Sequence, residues 1–403
     1  MFVVDREASH AADHRMKVHV WVPDYVSATG GIQMLSRFLV RALHECLPDS
    51  RIAVISKNDQ SAPDPEENSV TQFSTVGWWA LSQRTAAFTV ELLRRAVRER
   101  PDLIITAHVN FTPIAHWLKK LLKVPFIALG HGVEVWQIQS GQVQRALRSA
   151  DRLLAVSEFT RKRMSMALSI SADAIEVLPN TCDLEKFEPG PKPHFLLKRY
   201  GLRADQPVIL TVARLASVEQ YKGYDQVLRA LPAVKRVFPH VRYILGGRGS
   251  DRSRVIRLIN ELELTDSVIL TGYIPDYELC AFYNLCDVFA MPSKGEGFGI
   301  VFLEALACGK PVIAGNTDGS VDAVLNGRLG VLVNPENVDE ISTALIQVLS
   351  GSHPLRILQR PEDLRRGVIN AYGYNRFVER VGQMIKPFVD RSKNSQLEIR
   401  KQI

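Results

Sequence analysis

Short apolar runs alternate along the chain with longer stretches of helical period. In the first half the runs are VHVWVP, RIAVIS, DLIIT, VPFIALG, RLLAVS and IEVLPN; in the second they are PVILTVA, VRYILGG, SVILTGY, VFAMPS, PVIAG and GVLVNP. They are continuously apolar, which marks strands buried on both faces of a parallel sheet. Between them lie amphipathic segments such as IQMLSRFLVRALHECL, QVLRALPAVKRVF and VDEISTALIQVL. The series pauses at EPGPKPHFLLKRYG (188–201), where Pro189, Pro191 and Pro193 make a stiff linker. The pattern predicts an α/β protein of two Rossmann-like, doubly wound domains facing each other across a cleft. Ligands of such sheets bind at the carboxyl ends of the strands. Residues 1–16 read as a disordered extension, 17–188 as the first domain, 189–373 as the second and 391–403 as a tail.

Bulk properties fit that division. A chain of 403 residues is too long for one core, and its 46% hydrophobic and 23% charged residues are those of a globular protein. No apolar run reaches the roughly eighteen residues of a membrane span. The first residues, MFVVDREASHAADHRMK, lack an apolar core followed by a cleavage site, so no signal peptide is expected. Five scattered cysteines without a CxxC pair argue for a reducing, cytoplasmic setting and against a zinc site. The formal charge of +7 suits phosphate-bearing substrates or an anionic membrane surface. Nucleic acid is not expected, since no nucleic-acid-binding motif is visible.

Four stretches carry candidate chemistry. In PSKGEGFGIVFLEALACGKPV (292–312), a buried strand gives way to a glycine-rich turn and a helix. Gly295, Gly297 and Gly299 let a ligand approach the backbone. The amides of Phe298, Gly299, Ile300 and Val301 are unpaired donors at a helix start, a place suited to a diphosphate. Glu304, further along, suits two vicinal ribose hydroxyls, and Glu296, before the helix, suits hydroxyls of whatever the diphosphate carries. A glycine-rich turn with two surface glutamates is the competing reading. In TVARLASVEQYKGYDQVL, Arg214 follows a strand and Lys222 precedes a helix, so two cations from one loop are placed to neutralise a diphosphate; solvated loop cations are the alternative. In WVPDYVSATGGIQ, Gly30 and Gly31 permit close approach to a phosphate, although such pairs are common in these turns. In FIALGHGVEVW, His131 ends an apolar strand, where an imidazole can donate to or polarise a substrate oxygen or be merely structural. Glu134 and Trp136 beside it are candidates for an acceptor pocket. No DxD, GxSxG, HExxH or P-loop occurs, so no metal bridge is expected. HWLKKLLK (116–123) and GWWALSQR (77–84) join aromatics to cations as an interfacial helix would. For the first, an ordinary helix with a buried leucine face and solvated lysines is the preferred reading; for the second, neither reading is preferred.

Taken together, the GGIQ loop, the strand-end HG, VSEFT, LPNTCDLEKF, the Arg214 to Lys222 loop, LTGYI and the E-x7-E stretch EGFGIVFLE resemble the retaining glycosyltransferases of family 4, with the GT-B fold, over nearly the whole chain. The resemblance implies an acceptor domain first and a nucleotide-sugar donor domain second, with a C-terminal helix at about 374–390 returning to the first. It implies Arg214 and Lys222 on the donor diphosphate, Glu304 on the ribose and Ile274 offering backbone contacts to the base. Glu296, with the amides from Gly297 to Val301, would hold the hexose and phosphates; Gly31 would close over them, and His131 would touch the transferred sugar. It further implies a hexose moved from a UDP- or GDP-linked donor to a saccharide or lipid-linked hydroxyl. Neither cofactor nor metal would be needed, and the configuration would be retained by same-face attack. Separately, the aromatic and cationic segments above would suit a cytoplasmic protein peripheral to the inner face of the membrane. Two departures stand out: the RLASVEQYKG loop is long, and Thr181 and Cys182 replace the usual Asn-Gly turn. A sugar-nucleotide epimerase, a phosphorylase and a non-catalytic saccharide-binding subunit are the rival readings.

Overall fold

The computed structural model describes residues 15–26, 30–63 and 72–402, the side chains of 393 and 395–402 excepted. Residues 1–14, most of the expected N-terminal extension, lie outside the described residues. Two parallel sheets make up the chain. The first comprises β1 (Lys17–Val22), β2 (Arg51–Ser56), β3 (Gln72–Thr75), β4 (Leu103–Thr106), β5 (Phe126–Gly130), β6 (Arg152–Ala155) and β7 (Ile175–Val177), in the order β3-β2-β1-β4-β5-β6-β7. The second comprises β8 (Val208–Val212), β9 (Arg242–Gly246), β10 (Val268–Gly272), β11 (Val288–Met291), β12 (Val312–Gly315) and β13 (Val331–Val333), in the order β10-β9-β8-β11-β12-β13. Every apolar run singled out in the sequence is a strand. The additional one, β3, is a four-residue edge strand whose side chains are half-buried or exposed, so it lacks the apolar run that betrays the others. Helices cover both faces of each sheet, which explains why the central strands are fully buried.

The order reverses between β1 and β4 and again between β8 and β11. At these points adjacent loops diverge and leave a crevice. The helices Gly31–Cys46, Tyr224–Val237 and Ile300–Ala307 start there, after β1, β8 and β11 respectively. Each begins at a glycine, Gly30, Gly223 or Gly299, with no side chain capping it. Their first-turn amides are therefore left for something else.

The chain crosses between domains twice. On the first crossing Asn180, Thr181 and Cys182 are buried. Arg365, on the helix Pro361–Tyr372, then gathers the strand of chain that follows. Its guanidinium donates to the carbonyls of Leu184 (2.8 Å), Ala307 (2.9 Å) and Phe187. On the return, Tyr374–Gln402 packs along the helix Gly31–Cys46. Tyr374 Oη donates to Glu45 (2.9 Å), and Arg41 lies 4.4 Å over the Tyr374 ring. The expectation of a helix near 374–390 followed by a tail at 391–403 is corrected here, because the helix continues to Gln402. The reason is compositional: the added turns hold Arg, Lys, Gln, Leu and Glu and no glycine or proline to stop them.

Arg365 joins three segments distant in sequence, so its loss leaves three carbonyls short of a charged donor. Arg365→Ala should destabilise the protein by about 3 kcal/mol and lower its first thermal unfolding transition by several degrees in a calorimetric scan. Arg365→Lys should recover only part of this, because one ammonium cannot span three carbonyls.

Candidate functional site between the two domains

The glycine-rich turn after β11 lies where the two domains meet. Its conformation leaves no room for side chains. A Cβ on Gly297 would lie 1.6 Å from the His131 carbonyl oxygen of the other domain, and Gly299 has φ +87° as the helix N-cap. The domains thus touch backbone to backbone, and only glycine permits it. Among the described residues, the amides of Phe298, Gly299, Ile300 and Val301 make no hydrogen bond. They form a fan of free donors at the positive end of a helix dipole.

Around that fan the structure brings together residues far apart in sequence. Lys222 Nζ donates to Glu296 Oε1 across 74 residues, with the two side chains 17% and 12% exposed. Burial opposes the Lys222 ammonium, but Glu296, Tyr221 and Glu219 together outweigh it, so its pKa lies above the usual lysine value. The loops are stitched by the Lys294 amide on the Tyr221 carbonyl at 2.9 Å. Arg214 behaves differently. Its side chain is 75% exposed and pairs with Glu219, whose other carboxylate oxygen is buried without a partner. The two cations of this loop are therefore each held by a different carboxylate.

Glu304 is 5% exposed and accepts a 2.7 Å hydrogen bond from Tyr283 Oη. Burial pushes its pKa up to about 7 despite that bond. With Glu296 also largely covered, the reading of two surface glutamates is excluded. Ile274 is buried at the end of β10 against Gly246, and neither its amide nor its carbonyl is engaged among the described residues. Gly30 and Gly31 are exposed at the helix start, and a Cβ on Gly31 would meet nothing within 4 Å. Residues 27–29 of that loop lie outside the described residues.

On the facing domain, His131 Nε2–H donates to the Ala107 carbonyl at 2.8 Å. Burial lowers its pKa against the pull of Glu134 and this bond, so the ring is neutral with Nδ1 as an acceptor. With Nε2–H on the Ala107 carbonyl, Nδ1 is the ring nitrogen left over. Glu134 and Trp136 have structural partners. Glu134 Oε1 accepts from the amides of His131 (2.5 Å) and Gly132 (3.2 Å) and so shapes the turn. Trp136 packs edge-on against Phe159 at 5.2 Å, and its Nε1 lies 3.4 Å from Thr160 Oγ1.

Three supports have no motif of their own. Asp318 is buried after β12, and its carboxylate accepts from the Glu296 amide (2.8 Å), Ser293 Oγ (2.8 Å) and Ser320 Oγ and amide. Burial nonetheless pushes it up to about 6. Asp59 accepts from the amides of Tyr25 (2.6 Å) and Val26 (3.0 Å), while Arg37 donates to both carbonyls of the same dipeptide. Together they brace the approach to Gly30. The only sequence sign of Asp318 is an Asp-Gly pair at a strand end; Asp59 and Arg37 give none.

Two further groups of exposed apolar side chains lie on the first domain. Trp78 and Leu81, before and at the start of the helix Leu81–Glu99, and Trp117 and Leu121, on the helix Thr112–Leu122, are 64–81% exposed, and Lys120 and Lys123 at the end of the second helix are exposed too. Leu118 is buried as an ordinary helix would have it, but Trp117 and Leu121 face outward. Among the described residues, no helix is long and apolar enough to cross a membrane, and no cluster of three His, Cys, Asp or Glu side chains is placed to hold a metal ion.

Comparison with known proteins adds an independent line. The family model "Glycosyltransferase Family 4" matches residues 29–186, and that for "Glycosyl transferases group 1" matches residues 195–366, one on each sheet. A GDP-mannose-dependent alpha-(1-6)-phosphatidylinositol monomannoside mannosyltransferase of Mycolicibacterium smegmatis is 37% identical over 236 residues. These are 56% of this chain and 60% of that protein, so the match spans about three-fifths of the relative's length. A GDP-mannose-dependent monoacylated alpha-(1-6)-phosphatidylinositol monomannoside mannosyltransferase of Corynebacterium glutamicum is 28% identical, over 83% of this chain and 88% of that one. Among solved structures, a sucrose-phosphate synthase of Thermosynechococcus elongatus superposes with a TM-score of 0.76 at 22% identity, over 94% of this chain and 100% of that one. HepE of Anabaena, solved with UDP and glucose, gives 0.75 at 18%, over 93% and 100%. These structures share the fold.

The burial of Glu304 has a measurable consequence. Its folded pKa of about 7 lies above the ordinary glutamate value of 4.5, so the neutral carboxyl stabilises the fold fully below pH 4.5. That contribution is lost as pH rises through about 7. The stability of wild type relative to Glu304→Gln should therefore fall by up to about 3 kcal/mol between pH 4.5 and 8, measured by denaturant titration across that range.

Proposed function

Because the chain belongs to the glycosyltransferases of family 4 and has the GT-B fold, we propose that it is a retaining hexosyltransferase using a nucleotide diphosphate sugar. The observation that carries this reading is the Lys222–Glu296 pair beside the free amides of Phe298 to Val301. A diphosphate seated on those amides would draw the Lys222 ammonium and the mobile fork of Arg214 to itself. Glu296 would then be released to accept from hexose hydroxyls. Glu304, at the nucleoside side, would hold the ribose, and Ile274 would present its free backbone groups to the base. His131 Nδ1 would accept from a hydroxyl of the transferred sugar. Gly30 and Gly31 would approach the phosphates from the first domain.

In this reading catalysis is charge neutralisation on the leaving diphosphate together with positioning of the acceptor hydroxyl. The bond from the anomeric carbon to the diphosphate breaks, and the acceptor oxygen attacks from the same face. Its proton passes to a leaving phosphate oxygen. No protein general base and no metal is required, since Arg214, Lys222 and the amide fan supply the positive charge. The mannosyltransferase relatives favour a GDP-linked mannose as donor and an inositol phospholipid or its mannoside as acceptor. An acceptor embedded in a bilayer agrees with the exposed Trp78, Leu81, Trp117 and Leu121 side chains. Indoles would sit at the headgroup level, and Lys120 and Lys123 would meet anionic lipid.

Incubation with GDP-mannose and an inositol phospholipid should yield an α-linked product by NMR at a rate unaffected by EDTA. Glu296→Gln should lower kcat about 100-fold with unchanged circular dichroism. Full activity in that variant, or a β-linked product, would reject the assignment. The Trp78→Ser/Leu81→Ser double variant should lose co-sedimentation with vesicles containing anionic phospholipid at low salt while keeping its turnover of a water-soluble acceptor. Retained sedimentation would remove the membrane from this surface.

A further inference from the structure

The helix Glu158–Leu168 of the first domain ends against the turn that carries Glu296. Its N-cap, Ser157, donates from Oγ to the Gly297 carbonyl at 2.6 Å, and Thr160 Oγ1, one turn on, donates to the same oxygen at 3.1 Å. Both side chains are at most 1% exposed. A reciprocal contact runs the other way: Asp322 of the second domain accepts from the Phe159 amide at 3.2 Å. Two buried hydroxyls from one domain thus converge on a single carbonyl of the other, beside the point where His131 and Gly297 meet backbone to backbone.

The peptide they hold is the one whose N–H belongs to Phe298, the first donor of the free amide fan. A trans peptide is planar, with its N–H antiparallel to its C=O, so fixing the carbonyl fixes the direction of the donor. Hydrogen bonds accepted by the carbonyl also polarise the peptide and strengthen its N–H as a donor. These bonds exist only while the two domains are together. Resting on the nucleotide-sugar reading above, we infer that Ser157 and Thr160 are positioning residues for transfer. By gripping the Gly297 carbonyl they aim and strengthen the Phe298 amide toward the leaving diphosphate, and they make that amide competent only in the closed cleft. The diphosphate site is thereby completed from the domain that does not contain it.

Ser157 also caps its own helix, accepting from the Thr160 amide at 2.9 Å, so its removal mixes two effects. Thr160 offers the simpler test, because its backbone stays capped when its hydroxyl is lost; that hydroxyl also accepts from Trp136 Nε1 at 3.4 Å, a contact on its own domain. Thr160→Val is near-isosteric and removes the hydroxyl, whereas Thr160→Ser keeps it and removes only a methyl group. Thr160→Val should lower kcat about tenfold with a donor KM within about threefold of wild type, and Thr160→Ser should restore kcat. In solution scattering, wild type should compact on adding the nucleoside diphosphate of the active donor, and the Ser157→Ala/Thr160→Val protein should not. Wild-type kcat in Thr160→Val, equal losses in the valine and serine variants, or undiminished compaction of the double variant would each overturn the inference. Absence of transfer by the wild-type protein with every nucleotide sugar offered would instead overturn the functional reading beneath it.

Discussion

Two domains can share one site only if something brings their backbones within reach of the same small ligand. Here that constraint is met at Gly297, where the chain lies against the His131 peptide with no side chain between. The consequences spread outward. The turn packs through Phe298, which lies edge-on to Tyr372 at 5.3 Å, and its glycines are held by hydrogen bonds from outside. Asp318 holds the Glu296 amide, Ser157 and Thr160 hold the Gly297 carbonyl, and the Gly319 amide holds the Glu296 carbonyl at 2.8 Å. Each partner is buried, so each bond acts where an unmade one would be costly.

The charges in the cleft are arranged to be exchanged. Lys222 pairs with Glu296, and Arg214 with Glu219. A buried cation without a partner would be expensive, and a fully satisfied one would be inert. Pairing each with a carboxylate that has another use avoids both extremes. In the proposed function, an incoming diphosphate would take the place of Glu296 at Lys222, and the released carboxylate would meet hydroxyl donors on the sugar. Arg214 is largely in solvent.

Much of the architecture was legible in the pattern of apolar runs. All strands but β3 appeared as such, because strands of a covered parallel sheet must be apolar on both faces. β3 hid because an edge strand needs no such run. The free amides after Gly297 and Gly299 could also be anticipated, since glycine before an apolar helix is a local signal. What could not be read was pairing across distance. Nothing in KGEGFG names Asp318, and nothing in VSEFT announces that its Ser157 and Thr160 serve a carbonyl about 140 residues away. Such partners are chosen by the relative placement of two sheets, which no short window records. Nor did the sequence show the partners of Glu134 and Trp136, candidates for an acceptor pocket: the amides of His131 and Gly132 for the first, Phe159 and Thr160 for the second.

The two glutamates eight residues apart illustrate how one motif yields two different groups. Glu296 sits before the helix, where its backbone is braced by Asp318 and its carboxylate by Lys222. Glu304 sits about one turn into an apolar helix, where burial raises its pKa and Tyr283 donates to it. Sequence spacing sets how far apart the two groups lie. Their surroundings are set by what the fold packs around each: Lys222 and the Asp318-held turn at Glu296, an apolar helix and Tyr283 at Glu304.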